Sequence, residues 1–177
     1  VRPLEAWAVL ANYEVSGWRR LAPASRSWVD GWPPQVVEER FLAVHAVPWW
    51  PQGLDSIAEF GEWLKRMGRP WRALFPYLTD DPDLIWQAVI ELEAEGKAIL
   101  FHGHTHIQSV WCWDPSGYLN QVPSHSITML DCHHCVVGVG SVGLPEDGCW
   151  AAYTIYDSDK GNIDLIRLDR PRPGRFF

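Results

Sequence analysis

Residues 98–106, Ala-Ile-Leu-Phe-His-Gly-His-Thr-His, constrain the possible fold of this chain more than any other stretch. Four apolar residues in a row predict a short buried strand, which leads directly into His102, His104 and His106. Neutral imidazole is the commonest metal ligand in proteins, and histidines held at the end of a rigid strand can form half of a metal site. The stretch therefore predicts either a metal half-site or a hydrogen-bonded turn rich in histidine.

Spacing alone leaves two geometries open for these histidines. In an extended segment alternate side chains share a face, so all three would point the same way. A bend at Gly103 would instead let His104 and His106 converge on one centre, because glycine adopts backbone angles that other residues avoid.

The composition is that of a globular domain that can build a core. Of the 177 residues, 47% are hydrophobic and 21% are charged. We place a single domain at residues 1–169 and expect the proline- and arginine-rich tail, residues 170–177, to be frayed. The formal net charge of −7 argues against a general nucleic-acid-binding surface and, more weakly, against binding to anionic membranes. No apolar run approaches the roughly 18 residues of a membrane span and no signal-peptide pattern opens the chain, so the expected location is the cytoplasm.

The four cysteines, Cys112, Cys132, Cys135 and Cys149, allow several roles. Two disulfides are possible, but the chain is large and apolar enough not to need them. Cys132 and Cys135 have the C-x-x-C spacing of zinc ribbons and redox motifs, and the other two cysteines could complete a zinc site. Alternatively the pair lies in a strand as inert core residues, because residues 127–140 alternate in polarity and are rich in valine.

The first half of the chain combines short apolar runs with two helical patterns. Residues 7–10 and 41–44 predict strands, and residues 19–35, with three prolines and little periodicity, predict a loop with a helical turn or two. Apolar residues recur at helical spacing from Ile57 to Leu64, behind Asp55 and Ser56 as capping residues.

A second helix is predicted over residues 83–95, with acidic residues at its start and Gly96 at its end. The second half of the chain then changes in character. Six short β-branched or aromatic segments are separated by turn signals, and they predict strands at residues 107–113, 118–122, 127–130, 135–139, 151–156 and 162–168. Residues 114–117 and 157–161 predict hairpin connections. Helices and single strands followed by a run of antiparallel strands indicate an α+β arrangement.

Four segments, in order along the chain, resemble the motifs of the calcineurin-like metallophosphoesterases. Residues 103–106 have the Gly-His-x-His pattern, and residues 9–14 resemble the Gly-Asn-His-Asp/Glu block, with Ala11 for glycine and Tyr13 for histidine. Residues 42–48 resemble the strand that ends in a single ligand histidine, here His45.

The fourth segment, residues 139–145, contains Gly-Ser-Val-Gly and is followed by residues 152–157. Together these resemble the last strand pair of the small bacterial phosphodiesterase and protein-phosphatase-like members. The backbone N–H groups of residues 140–143 could bind phosphate there, or the segment is a structural turn.

The resemblance implies an α/β fold, part of a four-layer α/β/β/α sandwich whose C-terminal half is mostly antiparallel. It implies a two-metal centre in which Asn12, His45 and His104 hold one ion and His106 holds the other, with Mn, Fe or Zn suited to the mixed nitrogen and oxygen ligands. Two such ions clamp a phosphate, activate water and stabilise an in-line displacement. The implied activity is hydrolysis of a phosphodiester or phosphomonoester, so the implied partner is a phosphate-ester substrate.

The chain also departs from this family. In the family, two blocks, Asp-x-His and Gly-Asp-x-x-Asp, precede the asparagine block. Only about ten residues precede Asn12 here, and they contain neither block. Without these blocks the second ion keeps only His106, and nothing bridges the ions. Tyr13 stands at the position of the leaving-group acid, although an unperturbed tyrosine has a pKa of about 10 and donates a proton poorly. We therefore expect weak binding of Mn or Zn and negligible phosphodiesterase activity.

Two explanations account for these departures. The first is that the chain is the C-terminal part of a longer phosphoesterase that carries the first two blocks. Alternatively, it is a short non-catalytic descendant that serves as a binding or partner-docking module, completed by a second chain such as a copy of itself.

Overall fold

The structure, a computed structural model, describes residues 8–17, 20–51, 53–54, 56–79, 81–123 and 125–169. The helices in these residues are α1 (Asn12–Gly17), α2 (Pro23–Val29), α3 (Ile57–Met67) and α4 (Pro82–Ala94). The strands are β1 (Gln35–Val37), β2 (Phe41–Val44), β3 (Ile99–His102), β4 (Gln108–Trp113), β5 (Leu119–Gln121), β6 (Ser126–Thr128), β7 (His134–Val139), β8 (Ala151–Asp157) and β9 (Asn162–Leu168). None of the described helices is long and apolar enough to cross a membrane.

Local capping explains where the two longer helices begin. A capping box opens α3, because the Ser56 hydroxyl accepts from the Glu59 backbone N–H and the Glu59 carboxylate accepts from the Ser56 N–H at 2.9 Å. The side chain of Asp81 accepts from the Asp83 N–H at 3.0 Å and so caps α4. Both predicted helices are confirmed, while the expected capping residue Asp55 lies outside the described residues.

The strands form two sheets. The larger one is mixed and has the order β1-β2-β3-β7-β4-β5, in which β2, β3 and β7 are parallel to one another and the other pairs are antiparallel. The smaller sheet is antiparallel and has the order β6-β9-β8.

Alternation along the central strands divides the core in two. Leu100 of β3 and Val136 of β7 pack with the helices on one face of the large sheet. Their neighbours Ile99, Cys135 and Val137 point to the opposite face and pack against the small sheet. The described residues therefore form three layers: helices, the large sheet and the small sheet. The fourth layer implied by the resemblance stays a prediction.

The N-terminal region differs from the sequence-based expectation. Residues 8–10 form no strand, and Trp7 lies outside the described residues. In the predicted loop, residues 19–35, α2 confirms the expected helical turn or two, and β1 begins at the last residue, Gln35. Arg19 lies outside the described residues. A strand of three residues such as β1 carries too little periodicity to be recognised. Residues 8–10 are instead tied to the segment before β1 by the bond from the Leu10 N–H to the Pro33 carbonyl.

The strand predictions after the histidines are confirmed within one or two residues, except at residues 127–130, where the strand β6 gives way to a 3₁₀ turn, Met129–Asp131. Both hairpins are confirmed as the β4–β5 and β8–β9 connections. One aspect of the predicted antiparallel run is wrong: β7 also pairs in parallel with β3, because it inserts between β3 and β4. The expected frayed tail lies outside the described residues.

Candidate metal centre

Parallel pairing of β2 and β3 brings two of the predicted histidines to one edge of the large sheet. Val44 and His102 are register partners at the carboxyl ends of these strands, so the residues that follow them meet at the same edge. The carbonyl of His45 accepts the backbone N–H groups of Gly103 and His104, at 3.0 and 2.8 Å. These two bonds fix the start of the turn that carries His104.

The chain bends after β3, so the fully extended arrangement is wrong, while the convergence of His104 and His106 on one centre stays a prediction. β3 ends at His102, and the next residues form a turn in which the His106 N–H donates to the Gly103 carbonyl at 3.1 Å. His106 itself has a φ of 57°, a left-handed conformation that costs a residue with a Cβ about 1–3 kcal/mol. Such strain is concentrated at functional sites, which marks this turn as a candidate.

Three atoms with lone pairs converge beside this turn. Asn12 is the first residue of α1, and its Oδ1 lies 2.7 Å from Nε2 of His45. Nδ1 of His104 lies 2.9 Å from the same His45 nitrogen. The structure therefore brings together Asn12, His45 and His104, which are separated by 33 and 59 positions in sequence.

The donor set fits a divalent cation. An amide oxygen only accepts, and a neutral imidazole carries one proton for two nitrogens, so this group holds more lone pairs than protons. Two nitrogen ligands about 2.1 Å from a metal ion are about 3 Å apart when they subtend a right angle, close to the separations seen here. His104 also interacts with the Phe75 backbone, and contacts of this kind orient metal-bound histidines.

The electrostatics keep these imidazoles neutral and ready to bind. Burial lowers the pKa of His45 to about 3, with further contributions from His104, His106 and His102. Burial followed by the charge of His106 lowers the pKa of His104, against the effect of the Phe75 backbone bond. Since only neutral imidazole binds a metal, both rings can do so at neutral pH.

Aromatic side chains that the sequence analysis missed hold the two imidazoles in place. Tyr77 stacks on His104 with ring centroids 4.5 Å apart, and Phe75 packs edge-on against His45 at 5.6 Å. Both residues lie in the irregular segment between the Trp71–Ala73 3₁₀ turn and α4, which shows no periodicity. The Phe-Pro-Tyr triplet at residues 75–77 was the only signal in the sequence.

His106 and Tyr13 are placed differently from the three converging residues. Nδ1 of His106 bonds to the Leu144 carbonyl at 2.8 Å, so its ring is oriented by the loop that follows β7. Tyr13 follows Asn12 on α1, and its side chain is 72% exposed. These positions test neither the predicted role of Tyr13 as a proton donor nor the predicted role of His106 as a ligand of a second ion.

The Gly-Ser-Val-Gly segment has a structural role in the turn after β7. Gly140 has a φ of 81°, and a Cβ there would lie 2.6 Å from Cβ of Ala152 and 2.7 Å from Cγ of Gln108. The Ser141 carbonyl accepts the Ala152 N–H at 2.8 Å, and the Ser141 hydroxyl accepts the Leu144 N–H at 3.0 Å. Of the two interpretations of this segment, the structural turn accounts for these contacts.

A further buried histidine makes the stability of the metal-free protein depend on pH. Within the described part of the chain neither ring nitrogen of His102 has a hydrogen-bond partner, and burial followed by the charge of His104 lowers its pKa from 6.5 to about 4. Between pH 4 and pH 6.5, the folded state keeps His102 neutral while the unfolded state protonates it. Its contribution is therefore intact above pH 6.5 and is lost as the pH falls toward 4, by about 2 kcal/mol at pH 5.

Urea unfolding of chelator-treated protein at pH 7.5 and pH 5 measures this effect. We expect His102→Leu to reduce the difference in unfolding free energy between the two pH values by about 2 kcal/mol. The exposed His125, replaced by alanine, is the control and should leave the difference unchanged. An equal pH dependence in His102→Leu and the parent protein would contradict the assignment.

The cysteines do not form the four-cysteine zinc ribbon considered from the sequence. Cys112 and Cys132 form a disulfide, so the expectation that a chain of this size needs none does not describe this protein. Cys149 lies apart, with its Sγ 3.0 Å from Oδ1 of Asp147. Cys135 is a buried free thiol in β7, in agreement with the alternative that strand cysteines are core residues.

Comparison with known proteins supports the fold. The chain is similar to the crystal structure of a metallophosphoesterase from Sphaerobacter thermophilus, with a TM-score of 0.59 and 16% sequence identity. The match covers 88% of this chain and 57% of that chain, so this chain spans a little over half the length of that protein. The sequence matches no protein-family model, and no curated protein matches it. At this level of identity the similarity concerns the fold alone. The chain therefore has a metallophosphoesterase-like fold.

Proposed function

We propose that Asn12, His45 and His104 hold one divalent ion and that this chain is part of a metal-dependent phosphoester hydrolase. The convergence of three lone-pair donors, 2.7 and 2.9 Å apart through His45, is the observation that carries the proposal. A fold shared with a metallophosphoesterase supports it. Mn, Fe and Zn are the metals suited to this donor set.

A bound ion supplies Lewis-acid polarisation of a phosphoryl oxygen and activation of water. The protein orients the two imidazoles through Phe75 and Tyr77, and it orients His106 through the Leu144 carbonyl. This bond leaves Nε2 of His106 available as a ligand of a second ion. Tyr13 is the proposed proton donor to the leaving group.

The substrate we propose is a phosphodiester or phosphomonoester. A cavity of about 320 Å³ opens beside the histidine turn and is lined by Thr105 and Ile107 together with Leu78 and Thr79. Its volume is in the range of small-molecule sites, but none of the three proposed metal ligands lines it, so the proposed substrate class rests on the metal centre and the fold.

Replacing Asn12 with aspartate tests the metal site. The carboxylate keeps an oxygen at the same place and adds a negative charge, so we expect Mn(II) to bind about 10-fold more tightly, about 1.4 kcal/mol. Gln87→Glu adds the same charge at an exposed position of α4 and should leave the affinity unchanged. Calorimetric titration of chelator-treated protein gives the three affinities, and equal values for Asn12→Asp and the parent would contradict Asn12 as a ligand.

Inorganic phosphate tests the proposed reaction class. If the ion binds a phosphoryl oxygen, Mn(II) must raise the affinity for phosphate, and phosphate must raise the affinity for Mn(II) by the same factor. Titrations in both orders measure this coupling. Tight Mn(II) binding without any coupling to phosphate would retain the metal site and contradict the phosphoester hydrolase.

A further inference from the structure

Three cysteine sulfurs lie together in the core between the two sheets, away from the helix-covered face of the large sheet. Cys112 of β4 and Cys135 of β7 are direct register partners, and Cys132 follows the 3₁₀ turn Met129–Asp131. The three Sγ atoms all lie within 4.8 Å of one another. All three side chains are buried in the same cluster of apolar residues.

The Cys135 sulfur lies within 4.8 Å of both sulfurs of the Cys112–Cys132 disulfide, which compares with the spacing of ligands in a thiolate metal site. In a tetrahedral zinc site with Zn–S bonds of about 2.3 Å, sulfur ligands are about 3.8 Å apart. Backbone pairing of β4 with β7 holds two of the three cysteines in place whether or not the disulfide is present. Cys132, on the neighbouring turn, would move away from Cys112 when the disulfide opens and could then bind the same ion.

A cavity beside the cysteine cluster gives a reductant or a metal ion a route to it. It has a volume of about 380 Å³, and both Cys112 and Cys132 line it, together with Asp131 and Asn120. Polar groups therefore face the two bonded sulfurs on the cavity side. The Sγ of Cys112 also lies 3.6 Å from the Asp131 carbonyl, which would accept a hydrogen bond from the reduced thiol.

We propose that Cys112, Cys132 and Cys135 form a zinc site when a dithiol reductant opens the Cys112–Cys132 disulfide. The reductant gives two electrons and two protons to the S–S bond, which becomes two thiols, and the reductant leaves as a cyclic disulfide. One Zn²⁺ then replaces three thiol protons and binds three thiolates. The cavity has room for a water molecule as the fourth ligand. Oxidation to the disulfide removes two of the three ligands, so zinc binding depends on the redox state.

Three thiolates and a zinc ion carry a net charge of −1 in a core that otherwise disfavours charge. Burial raises the pKa of the Cys135 thiol to about 12, so this group is protonated at neutral pH until a metal displaces the proton. Zinc binding must therefore release protons and tighten as the pH rises. This distinguishes a thiolate site from adventitious binding at exposed carboxylates.

Cobalt(II) is the probe that separates this site from the histidine centre, because only thiolate ligands give sulfur-to-cobalt charge-transfer absorption in the near ultraviolet. We expect the full chain, reduced under anaerobic conditions, to bind one Co(II) with this absorption and to lose it when zinc is added in excess over both proposed metal sites. The oxidised chain should lack the absorption.

Cys135→Ala keeps the other two cysteines and therefore the disulfide, so its fold can be checked in the oxidised form by tryptophan near-ultraviolet circular dichroism. We expect this variant, once reduced, to lose at least about 100-fold in cobalt and zinc affinity. Cys149→Ala removes the cysteine outside the cluster and should match the parent protein.

Three results would overturn the proposal. The first is a reduced, folded parent protein without charge-transfer absorption. The second is equal absorption in Cys135→Ala. The third is a reduced parent protein that unfolds and does not refold when zinc is added, because the three cysteines of such a chain do not form a zinc site. None of these outcomes depends on Asn12, His45 or His104, so the proposal stands apart from the phosphoester hydrolase.

Discussion

Replacing His104 with alanine should reduce the affinity of the chain for Mn(II) or Zn(II) by more than about 100-fold, because groups that merely orient metal ligands already cost about 10- to 100-fold when removed. His104 provides Nδ1 at 2.9 Å from His45 and is stacked on Tyr77. Its loss leaves one imidazole and one amide, which form a poor site for either metal. Calorimetry with chelator-treated protein measures the affinities.

The matched control for His104→Ala is His125→Ala, which removes an exposed imidazole elsewhere. It should bind the metal as the parent protein does. The zinc titration is done on oxidised protein, in which the Cys112–Cys132 disulfide withholds two thiols from the metal. Retention of the parent affinity by His104→Ala would show that the three converging residues are a hydrogen-bonded cluster and not a metal site.

Replacing Gly140 with alanine should destabilise the protein by about 3 kcal/mol, from left-handed strain plus overpacking. The φ of 81° disfavours any residue with a Cβ, and the new methyl group would lie 2.6 Å from Cβ of Ala152. Ala152 is held there by its N–H bond to the Ser141 carbonyl, so the neighbour cannot move away without breaking the turn. Urea unfolding at pH 7.5 measures the change in free energy.

Two glycines separate the strain from the steric clash. Gly117, in the β4–β5 hairpin, has a φ of 87° with no atom within 4 Å of the position that a methyl group would take, so Gly117→Ala should show strain alone, about 1 kcal/mol. Gly143 belongs to the same Gly-Ser-Val-Gly segment but has open space around it and no left-handed angle, so Gly143→Ala should be nearly neutral. Equal losses for Gly140→Ala and Gly117→Ala would contradict the close approach to Ala152.

Strong local patterns made much of the fold predictable. The apolar run before His102 and the capping box at Ser56 each specify an element from adjacent residues, and both elements are present. The short helix that begins at Asn12 lacks such a pattern, and only contacts distant in sequence determine it. The Cys112–Cys132 pairing depends on the register of β4 against β7, which cysteine spacing alone does not contain.

The candidate site was accessible from the sequence through resemblance more than through spacing. Histidine spacing left an extended and a bent arrangement open, and the structure shows that the chain bends after His102. Asn12 has no local feature that points to a metal and was singled out by the family motif alone. Phe75 and Tyr77 could not be connected to the histidines, because their contacts with His45 and His104 join segments that are far apart in the chain.

The origin of the three donor groups in distant segments couples occupancy of the centre to the integrity of the whole domain. Asn12 precedes the first sheet strand, His45 follows β2 and His104 follows β3, so an unfolded chain has no comparable arrangement. A ligand that binds only the native state adds its own free energy to folding, about 2.7 kcal/mol at a free concentration 100 times its dissociation constant. The bound cation would thus link the helical layer to the sheet. It would raise the melting temperature roughly in proportion to the logarithm of the free metal concentration.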